Sequence, residues 1–494
     1  MSSASSPEVG SFGPPGTRQA RASTLLAVLA ASSVLLLLHV PLAGVALAIA
    51  AVMTGSFLFF DPLLYAAIFL LPLAPMVELE SLPIHDWASF SRMLIFAGVL
   101  ARKLLDREPL SAWLWKGRFN KWMLVYVAAA IASAAVIHPL EGGAERSLSR
   151  LASYVCFYYA VTAWVKDSAQ LRKIIMSVLV STIAVCVLAF LQVAGGSFGD
   201  WFYRLYSNQS EVIPPWTGRV SSVFLGVNFL AGYLNMVLPL AMAVQIWAGD
   251  ASLRRAAKSC FFLGVIALVL TQSRGAYLGF LAMLLIAFKT VVTKKRARLK
   301  LLSGFALAVI IGAGISYAAT QAVSDTGVAG PTARERFTSV DETTLERVQI
   351  YAAAWNMFAG SPVMGIGYGN FRARFNSFTG DAPTDLWDAH SLYLKVLAET
   401  GAIGFACFLA MIGSFAVLAR GIWKNSPREM ERVLAVAALG GIATVLTQGL
   451  VESLVDLPQF GSMLWLLFAL VMAGSRVEQS FLQPLPLARK PSTA

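Results

Sequence analysis

Apolar runs recur along almost the whole chain, and each approaches the length that crosses a bilayer, roughly 20 residues per helix. Inside a bilayer a backbone must satisfy its own hydrogen bonds, so runs of this kind are helices. The runs fall near 23–38, 41–58, 62–77, 89–104, 121–138, 149–165, 173–194, 220–247, 258–272, 275–291, 300–319, 391–418, 433–450 and 457–474. The first three are short and crowded, which puts the number of spans at about 12–14. Composition agrees: of 494 residues 57% are hydrophobic and 13% charged, against about 25% charged in a soluble chain. The expected fold class is therefore all-α, a polytopic membrane protein.

Charge orients the spans. Residues 1–22 form a Ser/Gly/Pro-rich tail with Arg18 and Arg21 just before the first run. This composition predicts a disordered cytoplasmic tail followed by a retained first helix, because further spans follow at once. With that end inside, the basic clusters fall in cytoplasmic loops and their flanks: Arg102, Lys103, Arg107, Lys116, Arg118 and Lys121 in one, Lys289 to Lys300 in another. The opposite short loops are acidic, with Glu78, Glu80 and Asp86, then Glu141 and Glu145, then Glu452 and Asp456. This is the positive-inside pattern. It explains the net charge of +12 without nucleic acid, since no basic stripe interleaved with aromatics lies in one soluble domain.

The same alternation divides the chain into spans over 23–319, a large outer loop at 320–390, further spans over 391–474 and a cytoplasmic tail at 475–494. A smaller outer loop covers 195–219. The large loop holds Trp355, Trp387, Phe337, Phe358, Phe371, Phe375 and Phe378, which suggests a folded helical cap rather than a linker. The four cysteines, Cys156, Cys186, Cys260 and Cys407, lie in or beside apolar runs and read as small buried hydrophobes.

Candidate chemistry is narrowed by what is missing. No phosphate-binding G-x-x-x-x-G-K-[ST] loop is present, nor H-E-x-x-H, nor a metal-holding Asp-x-Asp pair. No metal or cofactor is expected. What remains is a set of arginines on the outer side: Arg219 before the 220–247 run, Arg274 in a tight turn between two spans, and Arg347 in the large loop. Arg274 is expensive so close to the membrane unless it has a partner. That partner is either a lipid headgroup, reached by snorkelling, or a bound diphosphate, which guanidinium binds bidentately. Gly365, Gly367 and Gly369 mark a tight turn or a close approach of backbone to a ligand. His390 sits near Asp388 where the loop re-enters the membrane. It reads either as a helix-capping histidine or as a proton acceptor oriented by a carboxylate. Lys395 and Glu399, four apart, are placed to pair at the outer end of the next helix.

The segments SRGA at 273–276, ERVQIYAAAWNMFAGSPVMGIGYGNF at 346–371 and HSLYLKVLAETGAIG at 390–404 resemble the O-antigen ligase/polymerase superfamily. The match spans 273–404; elsewhere the chain shares only the layout of many spans with one large outer loop. The resemblance implies a metal-independent glycosyltransferase with a GT-C-like fold in the bacterial inner (plasma) membrane. Its donor would be a glycan on undecaprenyl diphosphate, a polyprenyl carrier, at the outer, periplasmic face. Its acceptor would be lipid A–core, in lipopolysaccharide biosynthesis, or a second lipid-linked repeat, in O-antigen or exopolysaccharide polymerisation. By residue, it implies that Arg274 and Arg347 hold the diphosphate and that His390 activates the acceptor hydroxyl, with inversion at the sugar. Arg219 and Glu399 follow as possible donor or acceptor contacts. The competing class is a secondary transporter of a small anion such as bicarbonate, which calls for paired halves and mid-membrane ionisable groups. No convincing halves are visible in the sequence.

Overall fold

The computed structural model describes residues 62, 64–73, 87–105, 107, 117–135, 142–194, 219–224, 226–290, 295–324, 342–379, 388–455 and 457–477. The spans expected at 23–38 and 41–58, the tail at 1–22, most of the loop at 195–219 and the tail beyond 477 lie outside these residues. Beyond a helical stretch at 64–70, the helices are α1 Trp87–Leu105, α2 Arg118–Ala135, α3 Gly142–Trp164, α4 Ser168–Ala194, α5 Val227–Trp247, α6 Ala251–Thr271 and α7 Arg274–Thr290. They continue as α8 Lys295–Ser324, α9 Glu342–Gly360, α10 Phe371–Arg374, α11 Asn376–Thr379, α12 Leu392–Asn425, α13 Glu429–Gln448 and α14 Pro458–Val477. No strand occurs among the described residues. Five of these helices, α4, α5, α12, α13 and α14, are long and apolar enough to cross a membrane. The chain is an all-α, multi-pass membrane protein.

Helix α5 lies at the centre, buried continuously from Leu230 to Val244, with α6, α7, α13 and α14 packed around it. Small residues let the helices approach: Gly264 abuts Leu238, and Gly440 abuts Pro239. Asp250 starts α6 by accepting from Ser252 N and Leu253 N. Those bonds to the ionised form hold its carboxyl below the usual range.

Two stretches depart from the sequence expectation. The run expected to be helical from 220 begins its helix only at Val227. Before it, Gln192 Oε1 accepts from Ser221 N at 3.0 Å and Ser222 N at 2.9 Å, and Ser222 takes a left-handed φ of 51°. Tertiary bonds to the backbone replace the first helical turn there. The second departure is α12, which breaks at Gly401 (φ 63°, ψ −168°). The loop at 362–367 supplies the missing backbone partners. Ala402 N donates to Pro362 O at 2.9 Å, Gly367 N to Glu399 O at 3.0 Å and Ile366 N to Ala398 O at 2.9 Å. Irregular backbone at membrane depth survives only when protein satisfies it in this way.

Within the segment expected to form a folded loop, the described residues 342–379 form helices at Glu342–Gly360, Phe371–Arg374 and Asn376–Thr379, joined by an irregular stretch at 361–370. Its α9, α10 and α11 surround a small core of Ile350, Met357, Phe371 and Phe375 that packs on Ala398 of α12. The end of the bundle that carries α9–α11 is called the capped end below.

Candidate active site

Glu452 is the centre of the polar cluster at the capped end. It lies in the turn that follows α13, where its own N–H donates to Gln448 O at 3.0 Å. Its carboxylate is nearly buried, at 6% exposure, and faces three partners. Arg347 Nη2 of α9 lies 2.9 Å from Oε1, and Asn228 Nδ2 of α5 donates to the same oxygen at 2.6 Å. His390 Nδ1 lies 3.3 Å from Oε2. Burying a carboxylate is costly unless charge and hydrogen bonds compensate, and this set supplies both.

His390 is held on both sides. Before it, Asp388 accepts from Ala389 N and from Lys395 Nζ, each at 2.8 Å, and from the Ser453 hydroxyl. After it, Leu392 N donates to Gly449 O at 2.8 Å. The Tyr351 hydroxyl donates to His390 O at 3.1 Å. These contacts keep His390 at φ 46°, a left-handed conformation that a non-glycine residue adopts only when its surroundings dictate it. A carboxylate at Nδ1 favours the proton there, which leaves Nε2 as the basic edge. Burial raises the Tyr351 phenol above its ordinary range, with Arg347 opposing and Glu452 adding to that shift.

The arginines occupy different settings. Arg347 also reaches Val451 O at 3.5 Å, and its side chain is 32% exposed. Arg274 is exposed at the first position of α7. The next residue, Gly275, packs so tightly on Val451 that a Cβ there would lie 2.5 Å from the valine methyl. Arg274 therefore starts beside the same turn that carries Glu452. Arg219 donates to Thr271 O at 2.9 Å and Gln272 O at 3.4 Å, the carbonyls at the end of α6, three and two residues before Arg274. Its charge complements the negative end of that helix dipole.

Glu399 lies elsewhere. It is buried at the α12 break and accepts from Phe371 N at 3.1 Å, while Lys395 reaches Asp388 rather than standing only beside Glu399. Gly365, Gly367 and Gly369 all have positive φ, at 74°, 101° and 84°. The close approach they permit is to the protein's own backbone. A Cβ at Gly365 would collide with the Glu399 carbonyl, and one at Gly369 with Gly143 O. Gly365 and Gly367 dock the loop into the break, and Gly369 packs it against the start of α3.

Sequence reasoning passed over Asn228, Ser453 and the role of Glu452. Glu452 carried a usable signal, an acid placed four residues beyond the end of an apolar helix.

The family model described as O-antigen ligase matches residues 259–409. Over this stretch the chain is similar to the O-antigen ligase family. The resemblance drawn from the short motifs is borne out, and the match gives the anion-transporter alternative no support. The matched region contains Arg274, Arg347, His390 and Glu399, whereas Arg219, Asn228 and Glu452 lie outside it. No curated protein matches the chain.

Proposed function

We propose that the protein transfers or polymerises glycans from a polyprenyl-diphosphate carrier, undecaprenyl diphosphate, at the outer face of the bacterial inner membrane. The observation that carries this reading is one carboxylate, Glu452, shared between His390 and Arg347 on the turn against which Arg274 starts. Base and diphosphate-binding cation are then coupled across one short turn.

In the reaction, the acceptor hydroxyl gives its proton to His390 Nε2 as its oxygen bonds to the anomeric carbon. The bond from that carbon to the diphosphate oxygen breaks, and its electron pair leaves with the lipid diphosphate. A single displacement inverts the sugar. Arg274 and Arg347 meet the charge that develops on the leaving group, and no metal is called upon. Removing one such fixed donor costs about 10²–10³ in rate. A positioned base contributes about 10²–10⁴. Glu452 orients the imidazole and stabilises the imidazolium as it forms. Arg219 steadies the α6–α7 turn beneath Arg274, and Glu399 acts through the docked loop.

Lipid A–core as acceptor makes the protein a ligase, and a second lipid-linked repeat makes it a polymerase. The deciding experiment incubates purified protein in EDTA with polyprenyl-diphosphate-linked repeats, with and without lipid A–core. Ladders from repeats alone identify a polymerase, and a single transfer that requires lipid A–core identifies a ligase. Absence of product from folded protein with its native donor contradicts both.

A further inference from the structure

Helix α9 has two apolar faces, and among the described residues only one of them meets protein. Ile350, Ala353, Ala354 and Met357 are buried against α12. On the other side Val348 is 61% exposed and Trp355 55%, with exposed Ala352 and Ala359 completing a strip at helical spacing. No charged residue occurs from Val348 to Gly360. A solvated helix surface would carry charge, so this strip calls for an apolar covering.

The two ends of α9 are tied at membrane level. At the first, Arg347 binds Glu452, a few residues past the apolar α13. At the second, the chain leaving α9 fills the break in α12: Pro362 O and Val363 O accept from Ala402 N and Ile403 N. The uncharged part of α12 runs from Thr400 to Ala419, between Glu399 and Arg420. At about 1.5 Å per residue it is close to 30 Å long, the thickness of a hydrocarbon core. Gly401 therefore marks the edge of that core. Val363, 57% exposed, adjoins Ile403, which heads the exposed apolar stripe of α12 with Leu409 and Val417.

We infer that the Val348–Trp355 strip of α9 lies in the bilayer surface, in the leaflet on the capped side, and continues the lipid-facing stripe of α12. Trp355 sits where indole rings favour the headgroup boundary. Its neighbour Phe358, with ring centroids 5.4 Å apart, extends the same apolar ground. An interfacial α9 holds Arg347 in the plane where lipid phosphates lie. The inference rests on the membrane-spanning fold and not on the transfer chemistry.

The test uses wild-type protein in phosphatidylethanolamine/phosphatidylglycerol vesicles that contain a diazirine-tailed phospholipid. Photolysis is expected to give lipid adducts on the 348–363 peptide as abundantly as on the 402–417 peptide. Adducts confined to 402–417 overturn the inference. A second arm places spin labels at Val348→Cys, Trp355→Cys and Gln349→Cys in a chain with the four native cysteines replaced by alanine. The ratio of oxygen to nickel-chelate collision rates should be several-fold higher at 348 and 355 than at 349. Equal ratios, or labels at 348 and 355 shielded from both reagents by a protein partner, contradict it.

Discussion

Two arginines of this protein invite comparison, Arg347 at the capped end and Arg92 in α1. Arg92 is completely buried. Its guanidinium donates to Ser89, Ser153 and Ser462 hydroxyls at 2.8, 3.0 and 2.5 Å and to Pro458 O at 3.4 Å, with the Tyr154 ring 4.4 Å away. It ties α1, α3 and the start of α14 together, and no substrate can reach it. Arg347 instead pairs with a carboxylate that also holds a histidine, and a third of its side chain stays open. Both are cations in a membrane protein, but only one has an exposed edge beside an oriented base. On the proposed reading, accessibility together with a shared acid is what would separate a working arginine from a structural one.

The largest break in this comparison is expected at the base. His390→Ala should lower transfer by about 10²–10⁴ while leaving the circular-dichroism melt unchanged. Next come Arg274→Ala and Arg347→Ala, each expected to cost about 10²–10³ in rate. Arg347→Lys should recover little, because one ammonium cannot replace a bidentate fork. Arg92→Leu sharpens the contrast from the other side. It should destabilise the protein by about 3 kcal/mol, as loss of a buried network does, with turnover per folded molecule unchanged. Rate loss without destabilisation at Arg92 would erase the distinction.

Smaller effects probe the coupling. Glu452→Gln keeps the shape but loses the charge of a bond worth about 1.5–3 kcal/mol, so transfer should fall by about 10–100-fold. Combined with Arg347→Ala, its loss should be less than additive, since the two groups act through one contact. Smallest is Tyr351→Phe, expected to cost about 1 kcal/mol of stability at neutral pH. Burial raises the Tyr351 pKa, so its contribution is full below the ordinary phenol range and fades as pH rises through the raised value. The variant should therefore lose less stability than wild type in that alkaline window, as denaturant titrations would show.

Much of this was legible in the sequence, for identifiable reasons. Apolar runs report helices directly, because a bilayer leaves the backbone no other local solution. Arg274 stood out because charge beside an apolar run demands an explanation, Arg347 as an arginine on the outer side in the large loop, and His390 by its place near Asp388 where that loop re-enters the membrane. The start of α5 was misread because VSSVF at 220–224 is as apolar as a helix, yet its amides bond to the Gln192 side chain. The glycine triplet could equally have framed a ligand, and only the geometry shows its partners to be the protein's own backbone, the broken α12 at Gly365 and Gly367 and α3 at Gly369. The role of Glu452 escaped notice because its partners lie 62, 105 and 224 residues away in sequence.

The most direct test of the central claim is the transfer reaction with purified wild type, His390→Ala and Arg92→Leu, each verified as folded and supplied with the same polyprenyl-diphosphate-linked donor and its acceptor. The account predicts product from wild type, undiminished product per folded molecule from Arg92→Leu, and almost none from His390→Ala. Product from His390→Ala at the wild-type rate would contradict it.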